Sequence, residues 1–229
     1  MESRFSKEDL SSEEWSWLRL CYRRLHLCQI CTLSVSEAKF MRWFWIDRFT
    51  TFVSGQSASA IKNVSLSDEV LDDYMPGRPS FPYALIIEGM AQTAGLLVAE
   101  MNHYQDRVVL AKVGKAVFHM PVLNGDQLHF QANLESRRDD GAIITGTTTV
   151  NHQLQSEIEL TFAFLGDQFG NRPLFPNTDL LGMLLTLGIY NVGIRADGSP
   201  LKIPERLLKP DVIADTSTST QSTTTTESK

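Results

Sequence analysis

The sequence places one acidic residue, Glu88, inside the otherwise apolar run PYALIIEGMAQ. A carboxylate that is moved out of water binds its proton more tightly, so a buried Glu88 could donate a proton near neutral pH. Gln92 follows four residues later, which puts both side chains on the same face if the segment is helical. This pattern is typical of a general acid with a neighbouring amide. The alternative is a buried, hydrogen-bonded structural glutamate.

A proline-rich loop leads into this segment, with Pro76, Gly77, Pro79 and Pro82 close together. Proline fixes the backbone angle φ, so these residues restrict the shape of the loop. Pro82 suits the first turn of a helix, where the N–H group that proline lacks would have no partner. We therefore predict a loop of defined shape followed by a helix over about residues 82–102.

The segments on both sides of this helix are rich in β-branched and aromatic residues, which favour strands. Two strands are predicted before the helix, in FWIDRFTTFV and ASAIKNVSL. Four are predicted after it, in RVVLAKVGKAVFHMPV, QLHFQANLESR and IITGTTTVNHQLQSEIELTFAFLG. The turn sequence NGD at residues 124–126 predicts a hairpin. The predicted order is β-β-α-β-β-β-β, ending in an antiparallel meander.

A helix that is apolar on every face has to be buried on every face. A small sheet achieves this only by curling around the helix, which is the α+β hotdog architecture, and its usual dimer continues the sheet across two protomers. We expect this domain to cover residues 41–166, after an N-terminal helical extension over residues 1–40. If translation starts at Met41, this extension is not part of the native protein. A linker and C-terminal helix, packed on the sheet or on a partner, would cover 167–208. A disordered Ser/Thr-rich tail would follow over 209–229.

The composition excludes several classes of protein. The net charge of −6 argues against a sequence-independent grip on nucleic acid. Cys21, Cys28 and Cys31 all lie near the N-terminus, so no disulfide framework is expected elsewhere and a reducing, cytoplasmic compartment fits. The single C-x-x-C has no second pair of ligands, which favours ordinary thiols over a metal site. The sequence shows no signal peptide and no apolar run of transmembrane length.

The stretch YMPGRPSFPYALIIEGMAQTAG resembles the central motif of the FabA/FabZ-type 3-hydroxyacyl-(acyl-carrier-protein) dehydratases. In that family a His-Phe-Pro-Gly-x-Pro loop leads into a helix that carries Glu or Asp and then Ala-Met-x-Gln. Three other stretches are similar to family motifs in the same order, namely WIDRF, KNVSLSDE and KAVFHMPVLNGDQLHF. The resemblance covers roughly residues 45–166.

The resemblance implies a 3-hydroxyacyl thioester substrate on acyl carrier protein, in fatty-acid or related lipid synthesis. It implies an acyl tunnel at a dimer interface, where a histidine of one protomer removes the C2 proton. Glu88 of the other protomer would protonate the leaving C3 hydroxyl, and Gln92 would orient Glu88 or a water. Pro76, Gly77 and Pro82 would shape the substrate-binding loop. No metal or organic cofactor would be needed.

Two residues depart from the family pattern. Tyr74 stands at the position of the catalytic histidine, and neutral tyrosine, with a pKa of about 10 against about 6.5 for histidine, is a poor base at pH 7. Tyr83 stands where the family has glycine, whose backbone N–H binds the thioester carbonyl. Tyrosine keeps the N–H group, but its side chain would narrow the channel for the pantetheine arm.

These departures leave three functions open. The first is a 3-hydroxyacyl-ACP dehydratase-like enzyme. The second is a hotdog thioesterase in which Glu88 activates water. The third is a non-catalytic subunit that forms a heterodimer with a related hotdog chain carrying the histidine. The other histidines, His103, His119, His129 and His152, are interpreted as structural or solvated residues.

Overall fold

The computed structural model describes residues 44–68, 71, 80–166 and 173–209. The predicted extension over 1–40 and most of the predicted tail lie outside the described residues.

One long helix packs against a single seven-stranded sheet, and a second group of short elements follows the sheet in the chain. In chain order the elements are β1 (Arg48–Val53), β2 (Ser57–Asn63), α1 (Tyr83–Glu100), β3 (Val108–Phe118), β4 (Gln127–Arg137), β5 (Gly141–Val150), β6 (Gln153–Phe164), α2 (Asn177–Thr186), α3 (Ile189–Val192), β7 (Gly193–Ile194) and a 3₁₀ turn (Glu205–Leu208).

The strand order across the sheet is β3-β6-β5-β4-β2-β1-β7. All neighbouring strands are antiparallel except β1 and β7, which are parallel. The predicted sequence of elements from β1 to β6 is confirmed, and so is the position of the central helix. The sheet with its single long helix has the α+β hotdog fold.

The predicted hairpin at NGD is wrong. The turn itself forms, with Gly125 at a φ of 91° and the Asp126 carboxylate accepting a hydrogen bond from the Leu123 N–H at 2.8 Å. However, β3 pairs with β6 and β4 pairs with β2 and β5, so the strands on either side of this turn do not pair. The turn carries the chain from one edge of the sheet to its middle. Only β4, β5 and β6 form the predicted meander.

Two glycines allow α1 to lie close against the sheet. A Cβ atom at Gly89 would lie 2.6 Å from Cζ of Phe130 on β4, and one at Gly146 on β5 would lie 2.4 Å from Sδ of Met90. Both distances are too short for a real Cβ contact, so each position requires glycine at this helix-to-sheet spacing. The large side chains Phe130 and Met90 thereby fill the space between helix and sheet and are fully buried.

The prediction that α1 is buried on every face is not met within one protomer. Ala84 and Glu88 are exposed on the side of the helix that faces away from the sheet. The neighbouring edge strand β3 is open as well, with Leu110, Val113 and Val117 each 38–40% exposed. The physical reason is that one sheet of this size covers only one side of the helix.

The segment after residue 172 belongs to the same hydrophobic core as the sheet. The Leu187 carbonyl accepts a hydrogen bond from the Phe49 N–H at 2.9 Å, and β7 extends the sheet beyond β1. The expected apolar C-terminal helix therefore packs on the sheet. Six of its neighbouring apolar side chains are buried in the common core: Leu180, Leu184, Leu187, Ile189, Leu201 and Leu207.

A buried polar cluster joins this segment to the end of α1. Ser54 donates a hydrogen bond to the buried Glu100 carboxylate, and Tyr104 and Tyr190 lie beside it. Burial raises the pKa of Tyr190 to about 12, and burial together with Tyr190 and Glu100 raises the pKa of Tyr104 further. Arg206 donates to the backbone carbonyl of His103 at 2.9 Å. The C-terminal segment is thus attached through both apolar and polar contacts.

Within the described ranges no helix is both long and apolar enough to span a membrane.

Gly89→Ala should destabilise the protein. Alanine is favoured over glycine in a helix by about 1 kcal/mol, but overpacking a core of this kind costs about 1–3 kcal/mol. We expect a net loss in the free energy of unfolding, measured by urea denaturation. Gly166→Ala is the matched control, since a Cβ there meets nothing within 4 Å. Equal stability of the two variants would contradict the close packing described for α1.

Stability should fall as the pH rises above about 10. The folded protein holds the Tyr190 proton up to a pKa of about 12, against an ordinary value of 10.0. Between these two pH values only the unfolded chain loses the tyrosine proton, so the free energy of the unfolded state falls relative to that of the folded state. Urea denaturation across this range should show the decline, and Tyr190→Phe combined with Tyr104→Phe should reduce it. An unchanged decline in the double variant would show that other groups cause it.

Candidate active site

A chain of hydrogen bonds fixes the carboxylate predicted to be catalytic. The backbone N–H of Trp45, just before β1, donates to Oε1 of Gln92 at 2.9 Å. Nε2 of Gln92 donates in turn to Oε1 of Glu88 at 3.1 Å. The Trp45 ring also packs edge-on against Phe81, with ring centroids 6.0 Å apart. Gln92 therefore connects the Glu88 carboxylate to the backbone of the segment that leads into β1. The i+4 spacing predicted the contact between Gln92 and Glu88 but not the one with Trp45.

Glu88 itself is exposed in the single protomer. Its neighbours along the same side of α1 are Ala84, one turn earlier, and the half-buried Gly95 and Leu96 further on. The apolar environment expected for Glu88 is therefore not provided by the residues that the structure describes.

The first turn of α1 is the second part of the site. Pro82 occupies the N-cap position, with extended backbone geometry and no side-chain cap. The Tyr83 ring stacks face to face on Phe118 at the end of β3, with centroids 4.2 Å apart and ring planes 5° apart. Among the described residues, no group accepts a hydrogen bond from the amides of Tyr83 and Ala84. These amides and the helix dipole give the turn a positive potential.

The loop before α1 is described only at its end. Phe81 donates its backbone N–H to the Val122 carbonyl at 2.8 Å, and Ser80 pairs with Leu123. These contacts set the direction in which the chain enters the helix. Tyr74, Pro76 and Gly77 lie outside the described residues, so their predicted roles stay predictions. The described part of the site brings together Pro82, Tyr83, Glu88 and Gln92.

No described histidine contacts Glu88. His119 lies on the outer face of the sheet, where its ring is 3.3 Å from the Glu157 carboxylate, and Lys115 holds the pKa of that carboxyl below its usual value. His129 is exposed between the buried Leu128 and Phe130, so it also points away from the helix. His103 lies beyond the far end of α1, and His152 lies in the β5–β6 turn.

Sequence reasoning missed two residues of the site, Trp45 and Phe118. Trp45 acts through its backbone amide, which carries no signal in the sequence. Phe118 belongs to the motif KAVFHMPV, but its contact with Tyr83 depends on β3 lying at the edge beside the helix. In the described part of the chain, no cluster of side chains is suited to hold a metal ion.

Comparison with known proteins places this fold in a known family. A family model described as a FabA-like domain matches residues 37–159. The 3-hydroxyacyl-[acyl-carrier-protein] dehydratase FabZ of Wolinella succinogenes is 34% identical over 122 residues, covering 50% of this chain and 81% of the relative. FabZ of Symbiobacterium thermophilum is 35% identical over 121 residues, covering 52% and 85%.

One similar solved structure is smu.793 from Streptococcus mutans bound to acetyl CoA, with 17% identity and a TM-score of 0.44, covering 58% of this chain and 98% of that one. The match to the family model spans more than half of the sequence and contains both Glu88 and Gln92. The class of protein is therefore a hotdog-fold protein with a helix-borne carboxylate. The chain belongs to the FabA-like domain family.

Two substitutions of Gln92 should show how much each of its two hydrogen bonds contributes to the free energy of unfolding. Gln92→Leu removes the acceptor for Trp45 and the donor to Glu88, and should cost about 1–3 kcal/mol of unfolding free energy. Gln92→Glu keeps an acceptor for Trp45 and should therefore cost less, although it places a second carboxylate beside Glu88. Urea denaturation near neutral pH checks the order. If Gln92→Leu is as stable as the wild type, Gln92 does not connect Glu88 to the sheet.

Proposed function

We propose that this protein is a 3-hydroxyacyl-ACP dehydratase-like enzyme of fatty-acid or related lipid synthesis. The observation that carries the proposal is the Glu88 carboxylate, held by Gln92 on the exposed side of α1, in the helix whose first turn has no side-chain cap. The names of the FabZ relatives and the match to the FabA-like family support the same substrate class.

The chemistry follows from this arrangement. The amides of the first turn would donate hydrogen bonds to the thioester carbonyl oxygen and stabilise the negative charge that develops when a base takes the proton from C2. In a dimer of this chain the residue at the position of that base is Tyr74, and in a heterodimer it would be the histidine of the related hotdog chain. Glu88, in its protonated form, would give its proton to the C3 hydroxyl. The C3–O bond then breaks, water leaves, and the electrons of the C2–H bond form the C2–C3 double bond. Gln92 positions the carboxylate, and no cofactor takes part.

The proposed enzyme acts as a dimer. Ala84 and Glu88 are exposed on the open side of α1, and Leu110 and Val113 are about 40% exposed on the inner face of the edge strand β3. A related chain placed there would cover the helix and continue the sheet from the free edge of β3. Its cover would also exclude water from Glu88 and enclose an acyl tunnel. Acyl carrier protein would deliver the substrate to the mouth of this tunnel.

A second candidate is a subunit that lacks the base. No described histidine is near Glu88, and Tyr74 stands at the family's histidine position. In a heterodimer with a histidine-bearing hotdog chain, Glu88 of this chain and the partner's imidazole would form one complete site. The same β3 edge would serve as the interface. The third candidate is a thioesterase activity that depends on Glu88. The assay described next distinguishes it from dehydratase activity.

Tyr74→His should raise the rate at which the purified protein hydrates a crotonyl thioester, followed by the loss of enoyl absorbance. A positioned base with a suitable pKa contributes about 10²–10⁴-fold, and the wild type would lack most of this factor. Combining Tyr74→His with Tyr83→Gly tests whether the Tyr83 side chain limits the gain. Glu88→Gln is the inactive control.

The alternatives predict different outcomes of the same assay. A fast wild type that Tyr74→Phe leaves unchanged would contradict the missing base. Hydrolysis of the thioester that depends on Glu88, without hydration, would favour the thioesterase. Hydration that appears only after a histidine-bearing hotdog chain is added would favour the partner subunit.

A further inference from the structure

We propose that Tyr83 and Phe118 form a stacked aromatic wall that selects the thiol arm of the substrate. This inference rests on the proposed function, in which the first turn of α1 receives the thioester carbonyl. It concerns a feature peculiar to this chain, because a tyrosine here replaces the glycine expected from the resemblance to the dehydratases.

The position of the pair follows from the helix. Tyr83 precedes Glu88 by five residues, which is about 7.5 Å along the axis at roughly 1.5 Å per residue. The two rings are parallel and 4.2 Å apart, so the pair bridges the start of α1 and the end of β3. The pair lies at the N-terminal end of α1, between the helix and the edge strand β3.

The substrate must run along this line. When the C3 hydroxyl is within hydrogen-bonding distance of Glu88, the carbonyl reaches towards the amides of the first turn. The sulfur lies three bonds from C3, so the sulfur and the first atoms of the thiol arm arrive at the level of the aromatic wall. The acyl tail leaves C3 in the opposite direction and does not reach Tyr83.

The packing of the wall explains how it could select. Phe118 is half-buried and closes the end of β3, while Tyr83 is 40% exposed. The Tyr83 ring is therefore held on one face by Phe118 while a large part of its surface stays exposed, and we infer that the arm passes over this exposed part. Stacking on Phe118 prevents the ring from rotating freely out of the way. The wall narrows the passage for the arm and leaves the acyl tail unaffected.

The test measures binding of amide analogues, in which nitrogen replaces the thioester sulfur so that no reaction competes. Butanoyl and octanoyl groups are each attached to a single methyl group, as the short arm, and to a full phosphopantetheine arm, and dissociation constants are measured by calorimetry. Tyr83→Ala should improve the affinity for the long arm relative to the short arm by about tenfold or more. The ratio of octanoyl to butanoyl affinity should stay within about twofold of the wild type.

Two further variants accompany this measurement. Phe118→Leu removes the stacking partner and should shift the arm preference in the same direction by a smaller factor. Phe175→Ala removes a more exposed aromatic residue, 52% against 40% for Tyr83, from the C-terminal segment and should change neither ratio. A general loss of stability does not change the ratio of long-arm to short-arm affinity or the ratio of octanoyl to butanoyl affinity, because each ratio compares two ligands on the same variant.

Each outcome decides the proposal. An unchanged arm preference in Tyr83→Ala, or a change confined to acyl length, overturns the aromatic wall while leaving the proposed function intact. If the long-arm analogues bind only to Tyr83→Ala, the result supports the proposal and shows that the aromatic wall blocks the arm completely in the wild type. If neither the wild type nor any variant binds any analogue, the proposed function fails and the wall fails with it.

Discussion

The structure depends on the contact between one eighteen-residue apolar helix and a sheet that covers only one side of it. Gly89 and Gly146 bring α1 so close to β4 and β5 that Phe130 and Met90 fill the gap completely. The remaining side of the helix carries the only acidic residue in its first half, Glu88, and stays open. The same packing that stabilises the domain therefore leaves Glu88, the carboxylate that we propose to be catalytic, on the exposed side of α1.

The C-terminal segment determines which edge of the sheet is available. β7 pairs with β1, and the Ile194 carbonyl accepts the Ser54 N–H at 2.9 Å, so this edge is covered. β3 lies at the opposite edge of the described sheet and has exposed apolar side chains on the face that also carries Phe118. Open edges of this kind readily add another strand. In the proposed dimer, the partner strand would add at this edge.

Local sequence patterns predicted the elements well, because strand composition, proline position and helical periodicity are local signals. The order from β1 to β6, the bounds of α1 and the contact from Gln92 to Glu88 all followed from them. Pairing was harder. The NGD turn has the local chemistry of a hairpin, yet β3 pairs with β6, since the choice of neighbour depends on which strand covers the helix. Trp45 acts through its backbone, and the short β7 has no strand pattern, so neither was predictable.

The central claim is that Glu88 works at an interface made by the β3 edge. Hydrogen–deuterium exchange of the backbone amides in the full-length protein tests it directly, because an uncovered edge strand exchanges quickly and a paired one does not. The account predicts that amides along the whole of β3 exchange as slowly as those of β5 in the middle of the sheet. Exchange of every second β3 amide at rates typical of an exposed edge would contradict it.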